Sequence, residues 1–194
     1  MALSDMFSFI EARDILISIV VLCIIFSYPE VITNPLFFVT SLLVVGVAFM
    51  GHELSHKFVA IRQGFWSEYR MWPQGLVMAV LLAFATGGAL IFAAPGAVYF
   101  RSGLFSRSPG EKGLTKIAMA GISFNIALMW ISLALYYFSG FAILAYMALI
   151  NGWLAIFNLL PFGMLDGQKL FRLNRDIWAL LLVLAVIGFI LVQF

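Results

Sequence analysis

Six apolar segments occupy most of the 194-residue chain, and their lengths limit the folds that it can adopt. They cover approximately residues 15–33, 36–61, 76–95, 114–138, 141–161 and 177–193. About 20 helical residues cross a hydrocarbon core of about 30 Å, so each segment is a candidate membrane span. The chain is 64% hydrophobic and 10% charged, which is more apolar surface than a soluble domain of this size can bury. We therefore expect an all-α, multi-pass integral membrane protein.

The third apolar segment differs from the others because glycine and proline interrupt it. Gly87 and Gly88 lie within it, and Pro95 and Gly96 end it. These residues are typical of a broken helix or a re-entrant hairpin rather than of a straight span. Irregular backbone at membrane depth is tolerated where protein or a wet cavity covers it. The sequence therefore predicts five transmembrane helices plus a re-entrant hairpin, with six spans as the alternative.

The distribution of basic residues favours the five-span topology. If segment 76–95 returns to its own side, all 11 Lys and Arg residues share one side of the membrane. With six spans, the same residues divide into four and seven. Because basic residues concentrate in cytoplasmic loops, we expect the N-terminus in the cytoplasm and the C-terminus outside. Lys57 and Arg62 are expected to snorkel to the cytoplasmic surface.

The second segment contains His52-Glu-Leu-Ser-His56, which holds both histidines of the chain. Residues four apart lie on one face of a helix, so both imidazoles can reach one ion. Glu53 projects about 100° away and can reach a water on that ion without binding the ion itself. This is the arrangement of zinc hydrolases. The alternative is a chance match whose histidines form hydrogen bonds within a helix bundle.

The depth of this motif follows from its place in the second segment. His52 lies 16 residues after Leu36, the start of the segment on the outer side. That distance is about 24 Å along a helix, short of the far edge of the hydrocarbon core. We expect the motif inside the membrane, close to its cytoplasmic side.

Catalytic zinc usually takes three protein ligands, and the chain has no third histidine. Cys23 lies midway along a different segment, which leaves a carboxylate as the candidate. Asp166 lies in Asn158-Leu-Leu-Pro161-Phe-Gly-Met-Leu-Asp166-Gly167. Pro161 is expected to stop the preceding helix near the cytoplasmic face, so that the five-span topology places Asp166 beside the histidines. The alternative is a solvated aspartate in a Pro/Gly loop that caps the next turn.

The two motifs together resemble the site-2 protease family of intramembrane zinc metalloproteases. The resemblance covers roughly residues 36–173 and rests on HELSH and on the Asn-xx-Pro-xxxx-Asp-Gly pattern. It implies one Zn²⁺ per chain. The implied zinc ligands are His52, His56 and Asp166, and the implied general base is Glu53.

A third feature of that family is matched more loosely, by Gly121-Ile-Ser-Phe-Asn125. Many members have proline after the glycine, where this chain has Ile122. By resemblance Asn125 would act in catalysis by steadying the substrate or the oxyanion, and the alternative is a hydrogen bond between helices. The family often has a membrane-dipping hairpin between the first and third motifs, where this chain has residues 72–96. An edge strand from residues 65–100 could then hold an unwound substrate segment by strand addition.

The resemblance implies an intramembrane metalloendopeptidase that acts in regulated intramembrane proteolysis. Its partners would be the lipid bilayer and a transmembrane protein substrate, cut within or near a membrane helix. Residues 1–194 would form one domain, without a PDZ or CBS domain because no polar region is long enough to hold one. A net charge of +2 without a basic run gives no indication of nucleic-acid binding, and nothing indicates an oligomeric state. Short loops suit a prokaryotic cell membrane. A catalytically inactive scaffold for single-span partners and a metal or ion transporter are the alternatives.

Overall fold

The computed structural model describes residues 7–102 and 110–194, and this part of the chain is mostly helical. It contains seven α-helices and one two-stranded antiparallel sheet. In chain order the elements are α1 Phe9–Ser27, α2 Pro35–Arg62, β1 Phe65–Met71, α3 Pro73–Ala85, β2 Gly96–Ser102, α4 Glu111–Ser139, α5 Ala142–Leu159, α6 Asp166–Leu173 and α7 Arg175–Leu191. The fold is thus mostly helical, as predicted, and the small sheet is the part that an all-α fold does not include. Arg107, one of the 11 basic residues, lies outside the described residues.

Three of the described helices, α2, α4 and α5, are long and apolar enough to cross a membrane. Helix α1 carries Glu11, Arg13 and Asp14 in its first turns, and α7 has 17 residues. Many large apolar side chains on the outside of the helices are exposed, which is typical of a surface that faces lipid. These features fit a membrane protein, and the count of five spans stays a prediction.

Proline and glycine set the helix boundaries near the site. Helix α2 begins at Pro35, a position at which proline is favoured because the first N–H of a helix has no partner within the helix. Helix α4 ends at Ser139. The next residue, Gly140, has a φ of 72°, and its N–H donates to the carbonyl of Tyr136, so that α5 follows after a short turn. Helix α5 ends at Leu159, just before Pro161, as the sequence predicted.

The third apolar segment leaves the sheet and returns to it. Helix α3 has 13 residues, which span only about 20 Å. Gly87 and Gly88 follow it with φ of 62° and 86°, and residues 89–95 then lead to β2. The N–H of Trp72 donates to the carbonyl of Pro95 at 2.7 Å, so the two ends of the segment lie side by side. The segment is therefore a hairpin whose base is the β1–β2 sheet.

Helix α2 lies at the centre of the fold, in contact with α1, α4, α5 and the sheet. Leu22, Val44, Ala48 and Leu154 belong to the buried cluster that joins α2 to α1, α3 and α5. A second buried cluster joins α4 to α5, α6 and α7. The HELSH motif, on α2, therefore lies in the interior of the helix bundle.

Lys57 does not snorkel to the surface, contrary to the sequence prediction. It is 1% exposed, and its Nζ donates to both carboxylate oxygens of Glu11, at 2.7 and 2.6 Å. A buried ammonium requires such a partner, and no pattern in the sequence indicates that α1 brings Glu11 to this point. Arg62, by contrast, is exposed as expected.

Carboxylates of α1 also cover one edge of the sheet. The backbone N–H of Tyr69 donates to Glu11 Oε1 at 2.9 Å, and that of Met71 donates to Asp14 Oδ2 at 3.3 Å. Both groups belong to β1 and point away from β2. Helix α1 thus covers the outer edge of β1, and among the described residues no third strand pairs with β2.

Candidate metal centre

The two imidazoles of the HELSH motif meet on one face of α2. The Nε2 atoms of His52 and His56 are 3.0 Å apart, and both side chains are buried. This is the geometry expected for residues four apart on a helix.

Asp166 approaches the same point from the first residue of α6. Its Oδ2 lies 2.8 Å from His56 Nε2 and 3.4 Å from His52 Nε2. The three side chains could together hold a metal ion. The structure thus brings together the three residues that sequence analysis proposed as ligands, although Asp166 follows His56 by more than 100 residues.

Gly167 permits this approach of α6 to the end of α5. A Cβ at this position would lie 2.3 Å from the carbonyl carbon and oxygen of Leu159. Any larger residue would push the start of α6, and with it Asp166, away from the histidines.

The hydrogen bonds of the outer ring nitrogens fix the tautomer of both histidines. His56 Nδ1 lies 2.7 Å from the backbone carbonyl of Ile117, which can only accept, so Nδ1 carries the proton. His52 Nδ1 lies 2.6 Å from Asn125 Oδ1 and donates to it in the same way. In the neutral rings, both Nε2 atoms therefore present lone pairs.

The inner atoms of the site form a donor set suited to zinc. Two imidazole lone pairs and a carboxylate oxygen converge within 3.4 Å without a proton to share. Such atoms repel one another unless a cation lies among them, and two nitrogens with one carboxylate are typical of catalytic zinc. The residues present fit a zinc ion.

Helix α4 leaves space for this centre at Gly121. A Cβ there would lie 2.4 Å from His56 Nε2 and 2.6 Å from His52 Nε2. Sequence analysis named Gly121 only as part of a loose motif. Its role in making room depends on how closely α4 crosses α2, which no spacing in the sequence reveals.

The other carboxylate oxygen of Asp166 forms an ion pair with Lys169. Lys169 Nζ donates to Asp166 Oδ1 at 2.9 Å, which leaves Oδ2 to face the histidines. The ion pair with Lys169 favours the carboxylate form of Asp166, which is the form that binds a metal.

Glu53 and the three candidate ligands line one cavity of about 460 Å³. Most of its wall is apolar, with Leu22, Phe49 and Leu154 among the lining residues. Glu53 is 7% exposed. A carboxylate that does not belong to the ligand set thus lies beside it in an apolar chamber.

The free edge of β2, with which no other described strand pairs, borders the same cavity. Tyr69 pairs with Val98 in the sheet, and the N–H of Tyr69 points away from β2. In an antiparallel pair, the N–H and C=O of Val98 must then point away from β1. Gly96 and Phe100 share this orientation, and all three line the cavity.

Asn125 lies behind His52 rather than in the cavity wall. Its side chain is fully buried, and its Oδ1 accepts a hydrogen bond from His52. Its Nδ2 donates to the carbonyl of Ala48 at 3.1 Å and to Asn151 Oδ1 at 2.9 Å. The hydrogen bond between helices, one of the two roles considered from the sequence, is thus present. The contacts give no support to direct action on a substrate, and the connection to Asn151 was not predicted.

The chain is similar to a protein of Methanocaldococcus jannaschii that is provisionally named a zinc metalloprotease. The two are 39% identical over 190 residues, which cover 95% of each chain. No protein-family model matches the chain, and no solved structure matches it at a significant level.

Proposed function

Because the chain belongs to the zinc metalloprotease family of this archaeal relative, we propose that it is an intramembrane endopeptidase of the site-2 protease type. The observation that carries the proposal is the convergence of His52, His56 and Asp166 beside Glu53 in an apolar cavity. Polar and ionisable groups inside a membrane bundle are costly, and such a cluster is retained where chemistry needs it.

His52, His56 and Asp166 would hold one zinc ion per chain. When bound, zinc acts as a Lewis acid that makes a water acidic near neutral pH and polarises a peptide carbonyl. The imidazoles are held for this task by Asn125 and by the carbonyl of Ile117, and the carboxylate by Lys169.

Glu53 would act as the general base and then as the general acid. Its carboxylate takes a proton from the attacking water and delivers it to the nitrogen of the leaving amine. The position next to His52, in the cavity but outside the ligand set, suits this role. The apolar walls keep bulk water away, which strengthens electrostatic interactions at the reacting atoms.

The substrate class follows from the cavity and from the free edge of β2. Peptide bonds in an intact helix are shielded by their own hydrogen bonds, so a substrate helix must unwind before it is cut. An unwound segment could then add to the edge of β2 through the N–H and C=O of Val98. Apolar walls beside this edge suit the side chains of a transmembrane segment.

The proposal includes a topology of five spans, α1, α2, α4, α5 and α7, with the α3 hairpin re-entering the membrane. The adjacent ends of the hairpin, at Trp72 and Pro95, support its return to one side. The site would then lie near the cytoplasmic side of a prokaryotic cell membrane, since His56 precedes the end of α2 at Arg62 by less than two turns. The scaffold and transporter alternatives gain no specific support from the described residues.

Substitution of Glu53 by glutamine tests the proposed chemistry. Purified wild type and Glu53→Gln would be incubated in detergent with a panel of single-span transmembrane peptides, and the products identified by mass spectrometry. We expect the wild type to cut within or near the apolar segment. The variant should lose at least about 100-fold in rate because proton transfer contributes that much, and it should keep its zinc. Cleavage by Glu53→Gln at the wild-type rate would contradict the general-base role.

A further inference from the structure

Asn151 is a fully buried amide on the mostly apolar helix α5. A polar side chain in such surroundings is costly unless its groups are hydrogen-bonded. Its Oδ1 accepts from Asn125 Nδ2 at 2.9 Å, and its Nδ2 donates to the backbone carbonyl of Met147 at 2.8 Å. Asn151 thus lies two hydrogen bonds away from His52, through Asn125.

The orientation of the Asn125 amide decides which nitrogen of His52 carries the proton. With Oδ1 towards His52, as in the structure, His52 Nδ1 donates and Nε2 keeps its lone pair. If the amide were turned over, its NH₂ group would face Nδ1, and the ring proton would have to move to Nε2. That proton would point at His56 and Asp166 and block the lone pair that a metal needs.

Two acceptors hold the Asn125 amide in its observed orientation. One is the carbonyl of Ala48, and the other is Asn151 Oδ1. The amide of Asn151 is itself fixed, because the carbonyl of Met147 can only accept and therefore binds its NH₂ group. Two backbone carbonyls, on α2 and on α5, thus determine the direction of every hydrogen bond up to His52.

We propose that Asn151 is a positioning residue that acts through Asn125 to keep the Nε2 lone pair of His52 directed at the metal site. The inference rests on the proposed zinc site and adds a residue of α5 to its support. Hydrogen-bond partners of metal ligands commonly change metal affinity by 10- to 100-fold when they are lost.

The test is zinc affinity, measured by competition with a chromophoric chelator on purified protein. Asn151→Leu removes the acceptor while it keeps a side chain with the same branching, and we expect zinc affinity to fall about tenfold. The matched control is Tyr146→Phe, which removes a hydrogen bond between α5 and α2, to Ser41 at 3.0 Å, without reaching His52. Zinc affinity of this control should equal that of the wild type. The absorption of bound Co²⁺ should shift in Asn151→Leu and stay unchanged in Tyr146→Phe.

A double-mutant cycle separates positioning from general packing. If Asn151 acts through Asn125, then adding Asn151→Leu to Asn125→Leu should cause no further loss of zinc affinity. An equal loss in both backgrounds would overturn the proposal, and so would wild-type affinity in Asn151→Leu. Circular dichroism would verify folding, and Asn151→Ala replaces the leucine variant if that variant does not fold. A wild type that binds no zinc would instead refute the metal site itself.

Discussion

Gly121 shows how the absence of one side chain shapes the candidate centre. Helix α4 passes so close to the two imidazoles that a single methyl group would overlap both Nε2 atoms. The two histidines could be predicted from their spacing on a helix, and Asp166 from the Pro/Gly pattern that returns it to the same side. The roles of Gly121 and Asn151 could not be predicted, since they depend on how the helices cross, which no local sequence pattern encodes.

Gly121→Ala should therefore strongly weaken metal binding, although alanine is the better helix former. The new methyl group would take the space of the ion, so we expect zinc affinity to fall by about 100-fold or more, at the upper end of losses seen around metal sites. Gly46→Ala is the control on α2, because its Cβ would meet only Ile19, at 3.8 Å. Zinc titration of both variants checks this, and tight zinc binding by Gly121→Ala would show that the site is formed differently.

At the scale of elements, α1 secures the sheet against the helix that carries the motif. Glu11 accepts hydrogen bonds from Lys57 of α2 and from the backbone N–H of Tyr69 in β1. Asp14 accepts one from the N–H of Met71 in the same strand. Hydropathy predicted the long helices and Pro161 predicted the end of α5. The glycines and Pro95 predicted that the third segment is broken, whereas the bounds of its short helix and the pairing of the two flanking strands required the structure.

Breaking the buried ion pair should loosen this junction. Lys57→Met leaves the Glu11 carboxylate buried without a counter-charge, and we expect a loss of about 3 kcal/mol in the free energy of unfolding. Adding Glu11→Gln removes that charge but keeps an acceptor for Tyr69, so the double variant should recover most of the loss. Unfolding by sodium dodecyl sulfate in mixed micelles measures these differences, with exposed Arg62→Met as the control. A double variant less stable than Lys57→Met would contradict this account.

At the scale of the whole molecule, the candidate metal centre depends on two elements that meet at one point in the helix bundle. The motif of α2 meets the start of α6 only if the chain between them returns to the same side, which the hairpin at Trp72 and Pro95 and the antiparallel pair α4–α5 accomplish. The same arrangement sets the free edge of β2 beside the candidate ligands. Charge distribution and the position of Asp166 favoured this topology from the sequence. An edge strand within residues 65–100 was also expected, but its bounds and the edge that borders the cavity required the structure.

The most direct test of the account is the zinc content of purified wild type and Asp166→Ala. If the three side chains form one site, the wild type should carry about one zinc per chain, and the variant should lose it or bind it much more weakly because two imidazoles alone make a poor site. Circular dichroism of both proteins serves as the control for folding. Equal zinc in the two proteins would remove Asp166 from the site, and a zinc-free wild type after metal-replete purification would contradict the central claim.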